Sequence, residues 1–325
     1  MGDVYLSIRG RVLLNVEALN MTESVGNYVK HRRVPVMVPG DEGYTVYFVP
    51  AISGESIAHG YQEILAEEAN EKGLPVCNLC KDGIFLKSTN KAVFKAAFNV
   101  EPPSDPFEFE KKVISNCVVE DIGGFLYAEE ANVKRTSCFL TGYMIPVKEA
   151  LSNTVIEAQL HSRYALGTPF VEERGQMIYY VELSSSTYAF SFDFESKYVG
   201  KTTFVHGKAG TVIVEDREKR VDVALDALRK FLVEFGFGAK KTRFLPVSEW
   251  ESVIIAVSND VWTVPHALSS NYGVKAVKKL DSISYNTKLF IFGVNIEDRE
   301  DIVKCETFED AITKAIEEAK SRLRG

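Results

Sequence analysis

The stretch Val4-Tyr5-Leu6-Ser7-Ile8-Arg9-Gly10-Arg11-Val12-Leu13-Leu14 alternates with the period of a β-strand. Successive strand side chains point to opposite faces, so Val4, Leu6, Ile8, Val12 and Leu14 share one face while Tyr5, Ser7, Arg9 and Arg11 share the other. The pattern predicts a strand with one face buried and one face basic and unburied. Outward from it, positions 15–33 (NVEALNMTESVGNYVKHRR) are polar, contain a glycine and lack helical periodicity. They read as a long loop that orders on binding, since loops of this length inside a domain are usually functional.

Val46-Tyr47-Phe48-Val49 reads as a further strand, broken by Pro50. Ser53-Gly54-Glu55-Ser56 then opens a helix in which Ile57, Tyr61, Ile64 and Leu65 follow the helical period, with Ser53 as N-cap and Gly73 and Pro75 as the stop. From residue 73 the character changes: two cysteines, the run Pro102-Pro103-Ser104-Asp105-Pro106 and an acidic helix-like piece at 107–117 read as an insertion. Thr136–Ile145, Met177–Leu183 and Thr187–Phe194 are strand-like, with a polar excursion at 157–175 between the first and the second. A helix at 216–235 repeats Val221, Leu225, Leu228, Leu232 and Phe235, Leu289–Val294 is a short apolar central strand, and a last helix starts at Thr307. This order predicts an α+β fold with an RNA-recognition-like (ferredoxin-like) core carrying inserted subdomains and long loops. The expected division is a core of residues 1–72 plus 130–325 and an inserted subdomain of 73–129. Neither GxGxxG nor GxxxxGK[ST] is present, which removes the sequence basis for a dinucleotide or P-loop site.

The 325 residues suffice for one large domain with insertions or two modest ones. No apolar run approaches the roughly 20 residues of a membrane-spanning helix, and the start Met1-Gly2-Asp3-Val4 lacks the build of a signal peptide, so the chain is expected in the cytosol. Cys77, Cys80, Cys117, Cys138 and Cys305 are odd in number and irregularly spaced, unlike a disulfide framework. Cys77-Asn78-Leu79-Cys80 has the spacing of half a zinc site, but no second CxxC or HxxxH follows. Reduced thiols, no metal and no cofactor are the expectation.

A formal net charge of −7 argues against a surface that coats nucleic acid as a whole, while leaving room for a local basic groove. Residues 1–35 hold Arg9, Arg11, Lys30, Arg32 and Arg33 against Asp3, Glu17 and Glu23, an excess of positive charge in an acidic chain. Two stretches stand out together. One runs from Arg9-Gly10-Arg11 and Asn15 through Asn20 to Lys30-His31-Arg32-Arg33. The other is Val49-Pro50-Ala51-Ile52-Ser53-Gly54-Glu55-Ser56-Ile57-Ala58-His59-Gly60. At this separation they resemble the DevR-type CRISPR-associated backbone protein, Cas family seven, in its archaeal type I-A form, over nearly the whole chain. The resemblance implies copies stacked along a CRISPR guide RNA as the helical backbone of Cascade, an antiviral complex. It also implies contact with other Cascade subunits, encounter with target DNA through the RNA-loaded complex, and no turnover.

The residues agree with that implication in several places. Arg9 and Arg11 on an unburied strand face, followed by a basic loop with Asn15, Asn20, Lys30, His31 and Arg32, can grip phosphates without reading bases. Ser53, Gly54, Glu55 and Ser56 sit at a helix start, which serves either as a plain cap or as an anion seat where Gly54 lets a phosphate approach. His161 is a structural histidine or, as the resemblance implies, an RNA contact together with Arg163 and Tyr164. Phe139 and Tyr143 read as core, and the aromatic signature of ordinary RNA-recognition modules is absent. Two alternatives stand beside this reading: a CRISPR RNA-processing ribonuclease with His161 as base, and a protein scaffold without direct RNA grip. The first lacks a second histidine nearby and, between Asn15 and Arg33, any Asp for a metal. The loops Asn15–Lys30 and Ser162–Gly175 are expected to be mobile without RNA.

Overall fold

A computed structural model of the chain describes residues 2–40, 43–164 and 176–325. Its elements run β1 (Tyr5–Glu17), β2 (Met21–Val25), β3 (Tyr28–His31), β4 (Arg33–Gly40), β5 (Gly43–Pro50) and α1 (Gly54–Glu71). The next segment carries α2 (Asn78–Lys81), α3 (Lys91–Phe98), α4 (Pro106–Asn116), α5 (Val118–Gly123), β6 (Phe125–Tyr127) and β7 (Val133–Arg135). Then come β8 (Phe139–Thr141), β9 (Ile145–Pro146), β10 (Val155–Tyr164), β11 (Gln176–Glu195), α6 (Arg217–Val233) and β12 (Val247–Ser258). The chain closes with α7 (Tyr272–Ser282), β13 (Lys288–Phe292), β14 (Ile302–Lys304) and α8 (Phe308–Arg324). The fold is α+β around a large mixed sheet. No helix among the described residues is long and apolar enough to cross a membrane.

The sheet is built on β1 and β11. β1 pairs antiparallel with β11 on one side and β12 on the other, and β13 and β14 continue beyond β12. β11 is 20 residues long and changes neighbours along its length. Its second half lies between β1 and the short strands β8 and β9, while its first half pairs with β10 and, in parallel, with β3. The helices α1, α6 and α8 cover one face, where Leu6, Ile8, Val12 and Leu14 meet Tyr61, Leu225, Leu228 and Ile312. Ile254, Ala256, Leu289 and Ile291 point to the other face, packed against Trp262, Val264, Tyr272 and Ala276.

That second layer corrects the expectation for the first strand. The face carrying Ser7, Arg9 and Arg11 is covered by the segment that follows β12: Ser7 Oγ accepts from Val264 N at 2.9 Å. Residues 15–33 are not a loop either. β1 runs on to Glu17, and β2 and β3 form a hairpin turning at Gly26-Asn27, where Gly26 takes the left-handed backbone that glycine adopts without penalty. The excursion at 157–175 is in its first part the strand β10; residues 165–175 lie outside the described residues. The two strand pieces Met177–Leu183 and Thr187–Phe194 are one strand. The three long helices stand where periodicity predicts them, with Ser53 and Thr307 capping α1 and α8 through their hydroxyls.

Candidate nucleic-acid interface

The hairpin β2–β3 and the start of α1 meet through a buried amide. Asn20, in the link between β1 and β2, accepts on Oδ1 from Arg32 Nε at 3.1 Å and from Ser53 N at 2.7 Å. The backbone reinforces this, since Arg32 N donates to Asn20 O at 2.9 Å and Ala51 N to Arg32 O at 3.0 Å. One short asparagine thereby fixes an arginine beside a helix N-terminus, whose free amides and dipole favour an anion. Arg32 Nη1 reaches the Tyr143 hydroxyl at 3.4 Å. Tyr143 in turn lines a cleft of about 420 Å³ with Ser53, Gly54, Glu55, Lys87 and Thr141. Arg32 itself lines a second hollow of about 590 Å³ with Thr22, Tyr28, Lys30, Arg33 and Glu182.

The cations around these hollows differ in what compensates them. Lys30 pairs with Glu23 at 3.2 Å and Arg33 with Glu182 at 2.7 Å. Arg32 is in no ion pair among the described residues: its partners are an amide oxygen and a phenol. It therefore carries a net positive charge into the hollow.

His31 lies beneath. Its ring is enclosed, with Nε2 2.6 Å from Glu17 Oε1 and Nδ1 2.9 Å from the Arg32 carbonyl. Burial by itself would lower the imidazole pKa, but the Glu17 hydrogen bond and charge and the Arg32 carbonyl outweigh it and raise the value. Two acceptors on two ring nitrogens are the partners of an imidazolium. The expected RNA contact is thus replaced: His31 is a lock under the hairpin.

Arg9 and Arg11 are also held inside. Arg9 is bidentate to Asp193, both bonds at 2.8 Å, with its side chain 11% exposed. Arg11 donates to Glu149 at 3.0 Å and to the Ala267 and Leu268 carbonyls, and lies over the Tyr272 ring. Arg9 is spent within the sheet, on β11, and Arg11 ties the second layer to it, which is why neither presents an open basic face. Asn15 stands half-buried at the far end of β1, opposite Val247. Gly54 is small for a protein neighbour, because a Cβ there would lie 2.8 Å from Thr141 O. Glu55 is exposed and Ser56 N bonds the Ser53 cap at 3.3 Å.

His161 lies on β10, stacked on Tyr179 at 5.2 Å with Phe244 edge-on, and its Nε2 has no hydrogen-bond partner among the described residues. The side chains of Arg163 and Tyr164 lie outside the described residues. Two side chains at the cleft were missed by sequence reasoning. Lys87 belongs to the segment read as a separate insertion, and Tyr143, read as core, is 42% exposed because β8 stops at Thr141. Phe139, read the same way, is buried.

Comparison with known proteins places the chain. Residues 8–277 match the family described as "CRISPR-associated negative auto-regulator DevR/Csa2". A Saccharolobus solfataricus protein named "CRISPR-associated protein Cas7/Csa2 1" is 37% identical over 303 residues, 91% of each chain. Another from the same organism, "CRISPR-associated aCascade subunit Cas7/Csa2 2", is 35% identical over 95% of this chain and 98% of its own. Among solved structures, a chain of a "CRISPR RNA-guided surveillance complex, pre-nicking" superposes with a TM-score of 0.55 at 12% identity, covering 97% of this chain and 99% of that one. The open arginine beside a helix start, in a chain with these relatives, has a family context: the chain belongs to the CRISPR-associated DevR/Csa2 family.

Proposed function

We propose that the chain is a cytoplasmic CRISPR RNA-binding backbone subunit of a type I Cascade complex, repeated along the guide RNA and engaging target DNA only through the loaded complex. Family membership and the names of its relatives support this reading. So does the strand order: β12, β1, β11 and then β8 with β9 form an antiparallel set, with α1 following β1 and α6 preceding β12. That order supports reading an RNA-recognition-like core, with residues 73–129 taken as the inserted subdomain.

The observation that carries the RNA grip is Arg32, positioned by a neutral amide, in no ion pair among the described residues, and next to the start of α1. A guanidinium so held can take a phosphate on its free edge while the bases stay unread, as a guide of arbitrary sequence requires. Lys30 and Arg33 join by exchanging Glu23 and Glu182 for phosphate oxygens, and Tyr143 offers a ring for stacking. No turnover is part of this reading.

Binding of a short single-stranded RNA at about 50 and 200 mM salt tests it. Arg32→Ala is expected to weaken binding about tenfold, the loss of one charge-assisted contact, and to reduce the log–log salt slope by roughly 0.7. Arg9→Ala, which strips a buried partner from Asp193, is expected to lower the unfolding midpoint and leave that slope unchanged. An unchanged slope for Arg32→Ala overturns the assignment, a wild-type slope near zero favours a scaffold, and cut RNA favours a nuclease.

A further inference from the structure

The sequence reading assigns Cys77 and Cys80 no metal, for want of further ligands at a recognisable spacing. The fold supplies them from Cys117-Val118-Val119-Glu120. Cys77 caps α2 and Cys80 lies within it, while Cys117 caps α5 and Glu120 lies within that helix, so a CxxC and a CxxE face each other at two helix starts. The backbones are joined beside them, Val118 N donating to Pro75 O at 2.8 Å.

The three sulfurs lie within 4.8 Å of one another, and all three cysteines are buried. Among the described residues this is the only group of three such donors close enough to share an ion. Cys80 and Cys117 Sγ are 3.7 Å apart, too far for a disulfide. Two thiolates bound tetrahedrally to one zinc at about 2.3 Å lie roughly 3.8 Å apart.

Glu120 provides the second, independent observation. It is fully enclosed; Oε1 accepts from Leu86 N at 2.9 Å and lies 3.0 Å from Cys80 Sγ, while Oε2 has no partner among the described residues. A buried carboxylate oxygen without a partner is costly, and a bare one on a carboxylate that touches Cys80, itself clustered with two further thiols, points to a missing cation. Its sister oxygen, fixed by an amide, has the place of the outer hydrogen bond that orients a metal-binding carboxylate.

We propose that Cys77, Cys80, Cys117 and Glu120 form a closed zinc site that fastens the beginning of the 73–129 segment to its middle. Three thiols release their protons to solvent, and Zn²⁺ takes three sulfurs and Glu120 Oε2. Soft sulfur ligands in tetrahedral order select zinc over the hard cations. Four protein ligands leave no open position, so the site is structural. Lys87, whose Nζ donates to Gly123 O at 2.6 Å, adds positive charge near a centre that carries excess negative charge.

The test uses the intact chain, purified from zinc-containing medium without chelator. Elemental analysis is expected to find about one zinc per chain, released when the thiols are modified. Cobalt added to the stripped protein is expected to give sulfur-to-cobalt charge-transfer bands with tetrahedral d–d bands. Cys117→Ser is expected to lose the metal to a chelator that leaves the wild type loaded, and Glu120→Gln to keep the charge-transfer band but shift the d–d bands. Reduced wild-type protein without zinc and without cobalt–thiolate absorption overturns the site, whatever the variants do. Full retention by a folded Cys117→Ser protein overturns it too, and unshifted bands in Glu120→Gln overturn the fourth ligand.

Discussion

His31 shows how a charged side chain is kept inside. Glu17, itself enclosed, accepts from the His31 ring, from the Tyr188 hydroxyl at 2.9 Å and from Leu19 N at 2.8 Å, so both of its oxygens are satisfied. The folded protein holds the imidazole proton more tightly than the unfolded chain, because Glu17 and the Arg32 carbonyl together outweigh the burial that opposes them. The stabilisation is therefore complete below the ordinary histidine value of about 6.5, and is lost as pH rises through the raised folded value. Urea unfolding at about pH 6 and pH 9 is expected to show wild type losing stability more steeply than Glu17→Gln. A parallel loss in the two proteins would contradict the lock. The sequence alone puts His31 at the surface for a physical reason. Lys30, His31 and Arg32 are consecutive and basic, and a segment taken for a loop carries no inside and outside. In the extended backbone of β3 neighbours alternate, which turns His31 inward and leaves Lys30 and Arg32 facing out.

Among elements, the segment 73–129 is joined to the body by a buried ionic network. Arg135 bonds Glu110 and Asp121, Arg220 bonds Asp121 at 3.0 Å, and Glu110 accepts from the amides of Thr203 and Phe204. Asp121 thus compensates two enclosed guanidinium groups at once, and also accepts from Gly200 N at 2.9 Å. Asp121→Asn is expected to cost about 3–5 kcal/mol in urea unfolding, the penalty of leaving buried charge uncompensated. A loss under about 1 kcal/mol would mean the network is surface-like in strength. Such long-range pairing has no sequence period, which is why the segment's attachment was not legible. Helices α1, α6 and α8 were legible because apolar spacing and caps agree. The middle of β11 was not, since Ser184-Ser185-Ser186 resembles a turn. In the fold these serines stay in the ladder, Ser184 opposite Glu17 and Ser186 opposite Leu14, with Ser184 Oγ bonded to Tyr188 and Ser186 Oγ to Thr154.

At the scale of the whole molecule, an acidic chain presents a local cationic hollow and, beside it, an apolar arm. In the hairpin β4–β5, Val36, Val38 and Val49 pack inward on Leu151, while Met37, Tyr44, Val46 and Phe48 stand exposed on the opposite face. On the proposed reading a neighbouring copy covers that face. A Met37→Ser, Phe48→Ser double variant is then expected to bind an RNA long enough for one copy as wild type does, and to lose cooperative filling of an RNA long enough for several. Mass measurements of the complexes distinguish the two, and unchanged filling would exclude the arm from the contact. Sequence reasoning found the family from two short stretches, yet read the arm only as one strand, because residues apolar on both faces give no alternation to follow. β11, finally, runs roughly 66 Å, for 20 residues of strand. Deleting a single residue near its middle would turn one half inside out relative to the other, exchanging Val181 for a solvent-facing neighbour or Phe190 and Phe192 for theirs. A one-residue change of length inside that strand is therefore incompatible with its pairing on both sides, whereas a change outside Gln176–Glu195 leaves the alternation intact.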